Sequence, residues 1–432
     1  MMMAERLRPA HEALESYMRR LGETLRPPGI EIAPVLQALS RVLAEDVVAP
    51  IDLPPFDRAA MDGYAVRAED TYGARQDRPV KLKLVGRVLA GEDSSHIHLG
   101  PGECVEIATG AMMPERANAV VRAEHARRRG DDVVEIYAPV PAGSCVDEAG
   151  RDVKRGSVVL KRGRVLRIPD VALLLALGLK EVAVFKKPRI GVLSIGDELS
   201  DALCPAGPGK IRDVDRPMLI LMLEQLGALP IDLGIAPDDV GDVRKAISKG
   251  LDMCDAILTV GGASLGPADV AVKAVEGLSE AEVLVRRVAM RPGRPVALCV
   301  VREKPVICLP GPPVACYIAF HFFVKPVLLL LMGVSPDLKP VWPMARARLG
   351  KKLPSRVGFM DIVRVRLRSR PDGSLLAEPI ALRGAGMLSS LVRANAILAI
   401  PAELDVLEKG AEVDVLLIAC PELIEVEEAM RA

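Results

Sequence analysis

The sequence predicts a multidomain α/β plus β chain, with a doubly wound α/β domain, a mostly-β insert domain, a helical linking domain and a C-terminal small β-barrel. Three observations carry that expectation. The chain has 432 residues, more than one core fills, and suggests about three or four units at roughly 150 residues each. Between residues 187 and 334, continuous apolar runs alternate with helical spacing, as buried parallel strands require. On both sides of that stretch, short β-type runs are separated by Gly, Pro and Asp.

The linking domain is expected at 1–50 and 148–186, the insert at 51–147, the α/β domain at 187–334 and the barrel at 335–432. Helix is expected from Pro9 to about Arg41, because Leu14, Tyr17, Met18 and Leu21 share one face. In the insert, Lys81–Val88, Glu103–Ile107 and Val133–Ala138 read as strands, and Pro169–Leu179 returns to helix. In the α/β domain, Arg189–Ile195, Pro230–Ile235, Ala256–Val260, Val296–Val300 and Val306–Leu309 read as strands. Helices fill the gaps: Pro217–Leu226, a segment capped by Asp238-Asp239 and running to Leu251, and a long one after Pro312-Pro313. Near the end, Asp361–Leu367 and Leu375–Pro379 flank the turn Arg370-Pro371-Asp372-Gly373-Ser374, a hairpin signal, and Ala411–Ile418 adds a strand.

Composition narrows the function. Lys plus Arg and Asp plus Glu each number 57, so the chain lacks the net cationic character of a nucleic-acid binder. The run His125 to Arg129 reads as a solvated turn. None of the eight cysteines forms a C-x-x-C pair, which argues against a structural zinc site. The N-terminus shows no apolar secretion signal, and the apolar stretch Tyr317–Val334 is interrupted by His321 and Lys325-Pro326. A cytoplasmic protein with no membrane partner is expected.

Open α/β sheets bind ligands at the carboxyl edge of their strands. Here those edges are Gly196-Asp197-Glu198, Gly261-Gly262-Ala263-Ser264 and Pro310-Gly311-Pro312-Pro313. Gly261, Gly262 and Gly266 allow close approach of backbone N–H groups to an anion, and Ser264 adds a hydroxyl. Asp269, at the next helix start, suits a divalent cation bridging to phosphate. Arg287 and Arg291 supply cations that favour oxyanions. Free N–H groups where Pro313 opens the long helix offer another anion contact. Earlier in the chain, Asp57 and Asp62 lie five residues apart in Pro54–Ala65 and read either as ligand-facing carboxylates or as turn caps. These residues describe an anion-binding cleft for a phosphate-bearing substrate with a divalent cation.

The ordered set Phe56-Asp57-x-x-Ala60-Met61-Asp62-Gly63-Tyr64-Ala65, Thr109-Gly110-Ala111-x-x-Pro114, Gly196-Asp197-Glu198-Leu199, Gly261-Gly262-x-Ser264-x-Gly266-x-x-Asp269, Arg291-Pro292-Gly293-Arg294-Pro295 and Leu309-Pro310-Gly311-x-Pro313-Val314 resembles the molybdopterin molybdenumtransferases, the MoeA and gephyrin E-domain family. The resemblance runs from about Leu36 to Pro401. It implies a MogA-like α/β domain, an elongated homodimer and a site shared between subunits. It implies insertion of molybdate into adenylylated molybdopterin with release of AMP, assisted by Mg²⁺, and molybdopterin adenylyltransferase as the upstream partner. By motif, Asp57, Asp152, Glu198 and Asp269 resemble the acidic catalytic set, with Glu198 and Asp269 on the metal. Thr109 resembles the hydroxyl that reaches across the dimer. Gly261, Gly262, Ser264 and Pro310 to Pro313 resemble the phosphate and adenylate surround, and Arg287 and Arg291 stand where the family usually has lysines.

The sequence also departs from that pattern. The family's Leu-Pro-Gly-Asn-Pro-Val-Ser is Leu309-Pro310-Gly311-Pro312-Pro313-Val314-Ala315, and its Asp-x-Asn is Asp213-Val214-Asp215. The arginine and serine that help hold molybdate align with Asp361 and Ala385, so an inward Asp361 would repel the anion. Arg383, or else Arg364, is expected to compensate. Two other readings fit the same fold: a divergent paralogue, tungstate-using or binding-only, and a non-catalytic dimeric scaffold.

Overall fold

The computed structural model describes residues 7–262, 269–334, 343–381, 384–418 and 425–426. The chain divides into two compact units. The first comprises Met1–Glu31, Ser40–Ala44 and Val184–Ala432; the second comprises Ile32–Leu39 and Glu45–Ala183.

The first unit opens with helix α1 (Ala10–Thr24), which buries Ala10, Ala13, Tyr17 and Leu21. Tyr17 donates its hydroxyl to the carbonyl of Cys299 at 2.7 Å, so a buried phenol is satisfied. The helix stops well short of Arg41. Pro27, Pro28 and Gly29 follow it, and the chain continues as a strand, Ile30–Pro34, and a short turn of 3-10 helix, Val35–Gln37.

The second unit is built on a six-stranded sheet. Its strands are β1 (Gly63–Val66), β2 (Val80–Val88), β3 (Glu103–Ile107), β4 (Ala119–Arg122), β5 (Ala126–Arg129) and β6 (Val133–Ile136). They lie in the order β4-β1-β3-β2-β6-β5. The arginine run expected in a turn is the edge strand β5, whose three arginines are exposed. Charged side chains on an edge discourage pairing with another chain. Helix α2 (Ile168–Ala176) completes this unit, close to its expected span.

The α/β part of the first unit has strands β7 (Arg189–Ile195), β8 (Leu229–Ala236), β9 (Ala256–Gly261), β10 (Ala281–Val285), β11 (Ala297–Val301) and β12 (Lys304–Leu309). Helices α3 (Asp215–Gln225), α4 (Val240–Met253) and α5 (Val270–Glu276) connect them. Asp239 caps α4 by accepting from the N–H groups of Gly241 and Asp242. The sheet order is β8-β7-β9-β12-β11-β10. The first four strands are parallel, whereas β11 runs against both of its neighbours. The hairpin joining β11 to β12 is too short for the crossover that a parallel pair needs.

Leu193, Ile195, Val243, Ile247, Ile257, Val272 and Val275 form one buried cluster around this sheet. Each such side chain contributes about 1.5–3 kcal/mol by leaving water. Helix α6 (Pro313–Leu331) is long and apolar enough to cross a membrane, and 61% of its most apolar window is buried inside the protein. Its interruption by His321 and Lys325 is therefore weaker than expected, and burial accounts for its apolar character.

The C-terminal strands β13 (Met344–Leu349), β14 (Met360–Ser369), β15 (Leu375–Ala381), β16 (Ala396–Ile400) and β17 (Glu412–Leu417) pair in the order β14-β15-β13-β17-β16. Strand β16 pairs back to β14, closing a small barrel. The expected hairpin turn is present: Gly373 donates to the Arg370 carbonyl at 2.9 Å, with Gly373 at φ +79°. Helix α7 (Leu388–Arg393) sits between β15 and β16 in sequence. Met290–Arg291 pairs with the start of β14, bringing Arg291 opposite Asp361.

Candidate functional site

The parallel strands β7, β9 and β12 end beside a cavity of about 850 Å³. Ser194, Glu198, Asp213, Asp215, Asp238, Gly261, Gly262, Gly311, Pro312 and Pro313 are among its walls. The expected strand-end loops thus meet around one space. The glycines there are required by packing as well as by any ligand. Gly261 has φ +84°, and a Cβ on it would lie 2.2 Å from the Ile195 carbonyl oxygen. Gly262, at φ +62°, would bring a Cβ within 2.9 Å of the Ile195 side chain.

The cavity is rich in carboxylates. Glu198 is exposed, and Asp238 accepts from the backbone N–H of Asp197 at 3.1 Å. Asp213 is buried and accepts from Arg216 Nε at 2.9 Å. Asp215 is 8% exposed and its Oδ1 has no hydrogen-bond partner among the described residues. Burial, with the nearby Asp213 charge, pushes the Asp215 carboxyl up to about 7. Asp269, which precedes the cavity-lining Val270, also has a buried Oδ1 without a hydrogen-bond partner among the described residues. Burial raises its pKa, opposed by the Val272 N–H and by the charges of Arg287, Arg286 and Lys273.

A second pocket of about 580 Å³ lies between the α/β part and the barrel within the same unit. Arg291, Ser355, Arg356, Asp361, Arg364, Gly384 and Ala385 help to line it. Asp361 does not stand as a bare charge. Arg291 Nε and Nη2 reach its two oxygens at 2.7 and 2.5 Å, a bidentate pair. Ser355 Oγ donates to Asp361 Oδ2 at 2.9 Å, and the Arg356 N–H reaches the same atom at 3.2 Å. The expected repulsion is thereby relieved, because the carboxylate is neutralised before an anion arrives. Arg364, on β14, is fully buried and donates from Nε to Ser390 Oγ at 3.2 Å. Desolvation lowers its pKa, so an anion in the pocket would offset the burial of its charge.

The start of α6 lines the first pocket and is bonded to a residue of the second. Pro312 and Pro313 line the first, while the N–H of Val314 donates at 2.9 Å to the carbonyl of Ala385, which lines the second. That amide was expected to be free for an anion; the barrel loop occupies it.

In the other unit, Asp57, Asp152 and Thr109 are all exposed. Asp57 Oδ1 accepts from the Ala149 N–H at 2.8 Å, and the Asp152 N–H donates to the Leu53 carbonyl at 2.9 Å, so their two loops are joined. Asp62 Oδ1 accepts from both the N–H and the hydroxyl of Thr109, each at 2.7 Å, which lowers its pKa. Both aspartates of the first motif thus accept loop N–H groups through Oδ1, and Asp62 positions Thr109. Sequence reading missed that pairing across 47 positions.

Three consecutive stretches match known family models: residues 8–178 match the MoeA N-terminal region, 191–329 a probable molybdopterin binding domain, and 346–418 the MoeA C-terminal region. The Bacillus subtilis molybdopterin molybdenumtransferase is 34% identical over 416 residues, covering 95% of this chain and 94% of that protein. A putative molybdopterin biosynthesis protein of Methanocaldococcus jannaschii is also 34% identical, covering 97% of this chain and all of its own length. The chain belongs to the molybdopterin molybdenumtransferase family. The crystal structure of a Pyrococcus horikoshii MoeA protein superposes with a TM-score of 0.81 at 34% identity, covering 95% of this chain and 100% of that one.

For a family member, the site residues sort by place. Glu198, Gly261, Gly262, Gly311 and Pro313 meet at the sheet-edge cavity, with Pro310 buried at the end of β12. Arg291 belongs to the barrel-side pocket, tied to Asp361. Arg287 instead lines a separate cleft with Leu7, Arg8 and Val285, though its charge is felt by Asp269. Asp57, Asp152 and Thr109 fall in the other unit. Ser264 and Arg383 lie outside the described residues. Sequence reading passed over Ser194, Ser355, Arg356 and Ser390. None had a local signal, since each matters through a partner or a cavity distant in sequence.

Proposed function

We propose that this family member inserts molybdate into adenylylated molybdopterin and releases AMP. The observation that carries this reading is the Val314–Ala385 hydrogen bond, which ties the α6 start, at one pocket, to the lining of a second pocket of different chemistry. One has carboxylates and glycine-lined strand ends; the other has Arg291, Arg356 and Arg364. A nucleotide-linked pterin and a tetrahedral dianion need such different surroundings. Arg364 is the compensating cation for the oxyanion; Arg383, the first expectation, lies outside the described residues.

Glu198 and Asp269 are the residues that would hold Mg²⁺. The orphaned Oδ1 of Asp269 and the open carboxylate of Glu198 fit that ion, which binds one or two carboxylates together with substrate phosphate. Among the described residues no group of three or more His, Cys, Asp or Glu side chains could hold a metal, so phosphate oxygens and water would complete the shell. Bound there, Mg²⁺ would supply charge neutralisation on the pyrophosphate as the P–O bond breaks. Asp57 or Asp152 would orient the attacking water.

The reading includes a cytoplasmic homodimer in which Thr109 reaches the partner's site, receiving substrate from molybdopterin adenylyltransferase. The test is titration of the purified protein with adenylylated molybdopterin, then Mg²⁺ and molybdate, with AMP release as the readout. Stoichiometric AMP supports the reading. Binding without AMP release under either molybdate or tungstate replaces it with a binding-only paralogue. The absence of the family's serine at Ala385 favours including the tungstate arm.

A further inference from the structure

Two buried polar side chains in the wall of the sheet-edge cavity lack partners. Ser194, on β7, is fully buried, and its Oγ has no hydrogen-bond partner among the described residues. Asp215, the first residue of α3, is 8% exposed and its Oδ1 is equally unmatched. Both line the cavity. Natural structures keep few such atoms, and those kept call for an explanation such as a ligand.

The neighbours of Asp215 do not provide one. Arg216, the adjacent cation, spends its guanidinium on Asp213, Asp232 and Asp201. Asp213 adds a like charge, and the Asp215 charge in turn raises the pKa of the buried Cys316 thiol on α6. Asp215 is therefore an acceptor kept ready beside an empty volume, in a wall that also carries Glu198 and Asp238. Away from a bound cation, phosphate oxygens would be repelled by this wall. N–H donors would be attracted to it.

We propose that Asp215 is a specificity-determining residue that reads the heterocycle of the substrate, its carboxylate accepting the side-by-side N–H donors of a 2-amino-4-oxopyrimidine edge while Ser194 bonds an adjoining polar atom. This rests on the pterin substrate proposed above. The selection follows from donor patterns. A pterin offers ring N3–H beside an exocyclic amino group, two parallel donors that fit two carboxylate oxygens as a guanidinium does. Adenine offers an amino donor beside a ring-nitrogen acceptor, a pattern that an amide matches and a carboxylate does not. The family's asparagine at this position would suit the second pattern; Asp215 suits the first.

The test uses the full-length protein and three probes: 6-carboxypterin, 6-carboxylumazine (in which the 2-amino donor is replaced by an oxo acceptor) and AMP. Binding is followed by pteridine fluorescence and by calorimetry. The wild type should prefer the pterin to the lumazine by roughly 10- to 100-fold, the range for losing a charge-assisted donor. Asp215→Asn should erase most of that preference and leave AMP affinity equal or improved, and Ser194→Ala should weaken both pteridines by less. Circular dichroism melts check the fold, and Asp215→Ser serves if Asp215→Asn is unstable.

A preference that survives in folded Asp215 variants overturns the proposal. So does a loss of AMP affinity equal to the loss for pterin, which would assign the residue to adenine. If the wild type releases AMP with molybdate yet does not discriminate pterin from lumazine, only this inference falls. If it neither binds pterin nor releases AMP, the proposed function falls with it.

Discussion

The sheet-edge cavity and the barrel-side pocket treat charge in opposite ways. Among the described residues, the cavity wall pairs Asp213 with Arg216 but leaves Asp215 Oδ1 unmatched, as is Asp269 Oδ1 beside the cavity-lining Val270. In the pocket, arginines dominate, and its one carboxylate, Asp361, is met by Arg291, Ser355 and the Arg356 N–H. The difference teaches where binding energy is held in reserve. Unmatched acceptors favour donors or a cation; arginines lining a pocket favour an anion. Each space is made costly in the protein's own terms and is relieved by a different part of a substrate.

The largest expected effect tests the reserve at Asp269. Asp269→Asn keeps the shape and removes the charge that would hold Mg²⁺. AMP release should fall by about two to three orders of magnitude, as when one preorganised charge is lost from a transition state. Melting should stay close to wild type, because the native Oδ1 makes no bond that the amide must replace. Turnover unchanged in the variant removes Asp269 from the metal site.

Asp215 sharpens the same side of the comparison through pH. Its carboxyl moves from an ordinary 3.8 to about 7 in the fold. Below about pH 4 the folded and unfolded states both hold the proton. Between there and 7, the folded state keeps a proton that the unfolded state has lost, so stability falls as pH rises. Above 7 the cost is complete, at most roughly 4 kcal/mol for a shift of this size. Asp215→Asn should abolish that slope, and denaturant titrations at pH 5 and pH 8 measure it. Equal slopes in wild type and variant would show that Asp215 ionises freely in the folded cavity.

These predictions depend on features with very different visibility in the sequence. Strand β7 was legible at both ends because Arg189–Ile195 is a largely apolar, β-type run between breakers, and Asp239 was legible as a cap from its place before a helical run. The extent of α1 was misread because its apolar face was projected through Pro27 and Pro28. The reversal of β11 was missed because a buried antiparallel strand in a mixed sheet carries the same apolar run as a parallel one. At the site, the strand-end loops converged as motif position implied. Asp361 was misread because its partner, Arg291, lies 70 residues earlier, and no local pattern shows that a β-bridge will set them face to face. Asp215 was visible as a departure from the family, but its burial and its unmatched oxygen are properties of packing.

On the arginine side, Arg364→Met breaks the comparison if it removes the pocket's appeal to oxyanions. The molybdate concentration for half-maximal insertion should rise by about 10- to 100-fold, the worth of a charged hydrogen bond or two. Binding of 6-carboxypterin should hold steady, since Arg364 does not line the other cavity. Methionine fills much of the side-chain volume and avoids burying a new polar group, so Ser390 Oγ loses a donor but keeps its own bond to the Met387 carbonyl at 2.6 Å. An unchanged molybdate requirement would dismiss Arg364 as the compensating cation.

The smallest effect separates charge from wiring. Ser355 Oγ supplies one of several donors to Asp361, and Ser355→Ala removes that 2.9 Å bond while leaving the Arg291 fork and the Arg356 N–H in place. The carboxylate remains neutralised, so the cost should be about 1 kcal/mol or less in stability, the usual net worth of one hydrogen bond. The molybdate requirement should move by less than about fivefold, well below the Arg364 effect, because the cations facing the pocket are unchanged. If Ser355→Ala instead raises the requirement as much as Arg364→Met does, then Asp361 is held harmless by its hydroxyl donor more than by Arg291. The pocket would then depend on how one carboxylate is oriented, and counting its arginines would be the wrong measure of its affinity for an oxyanion.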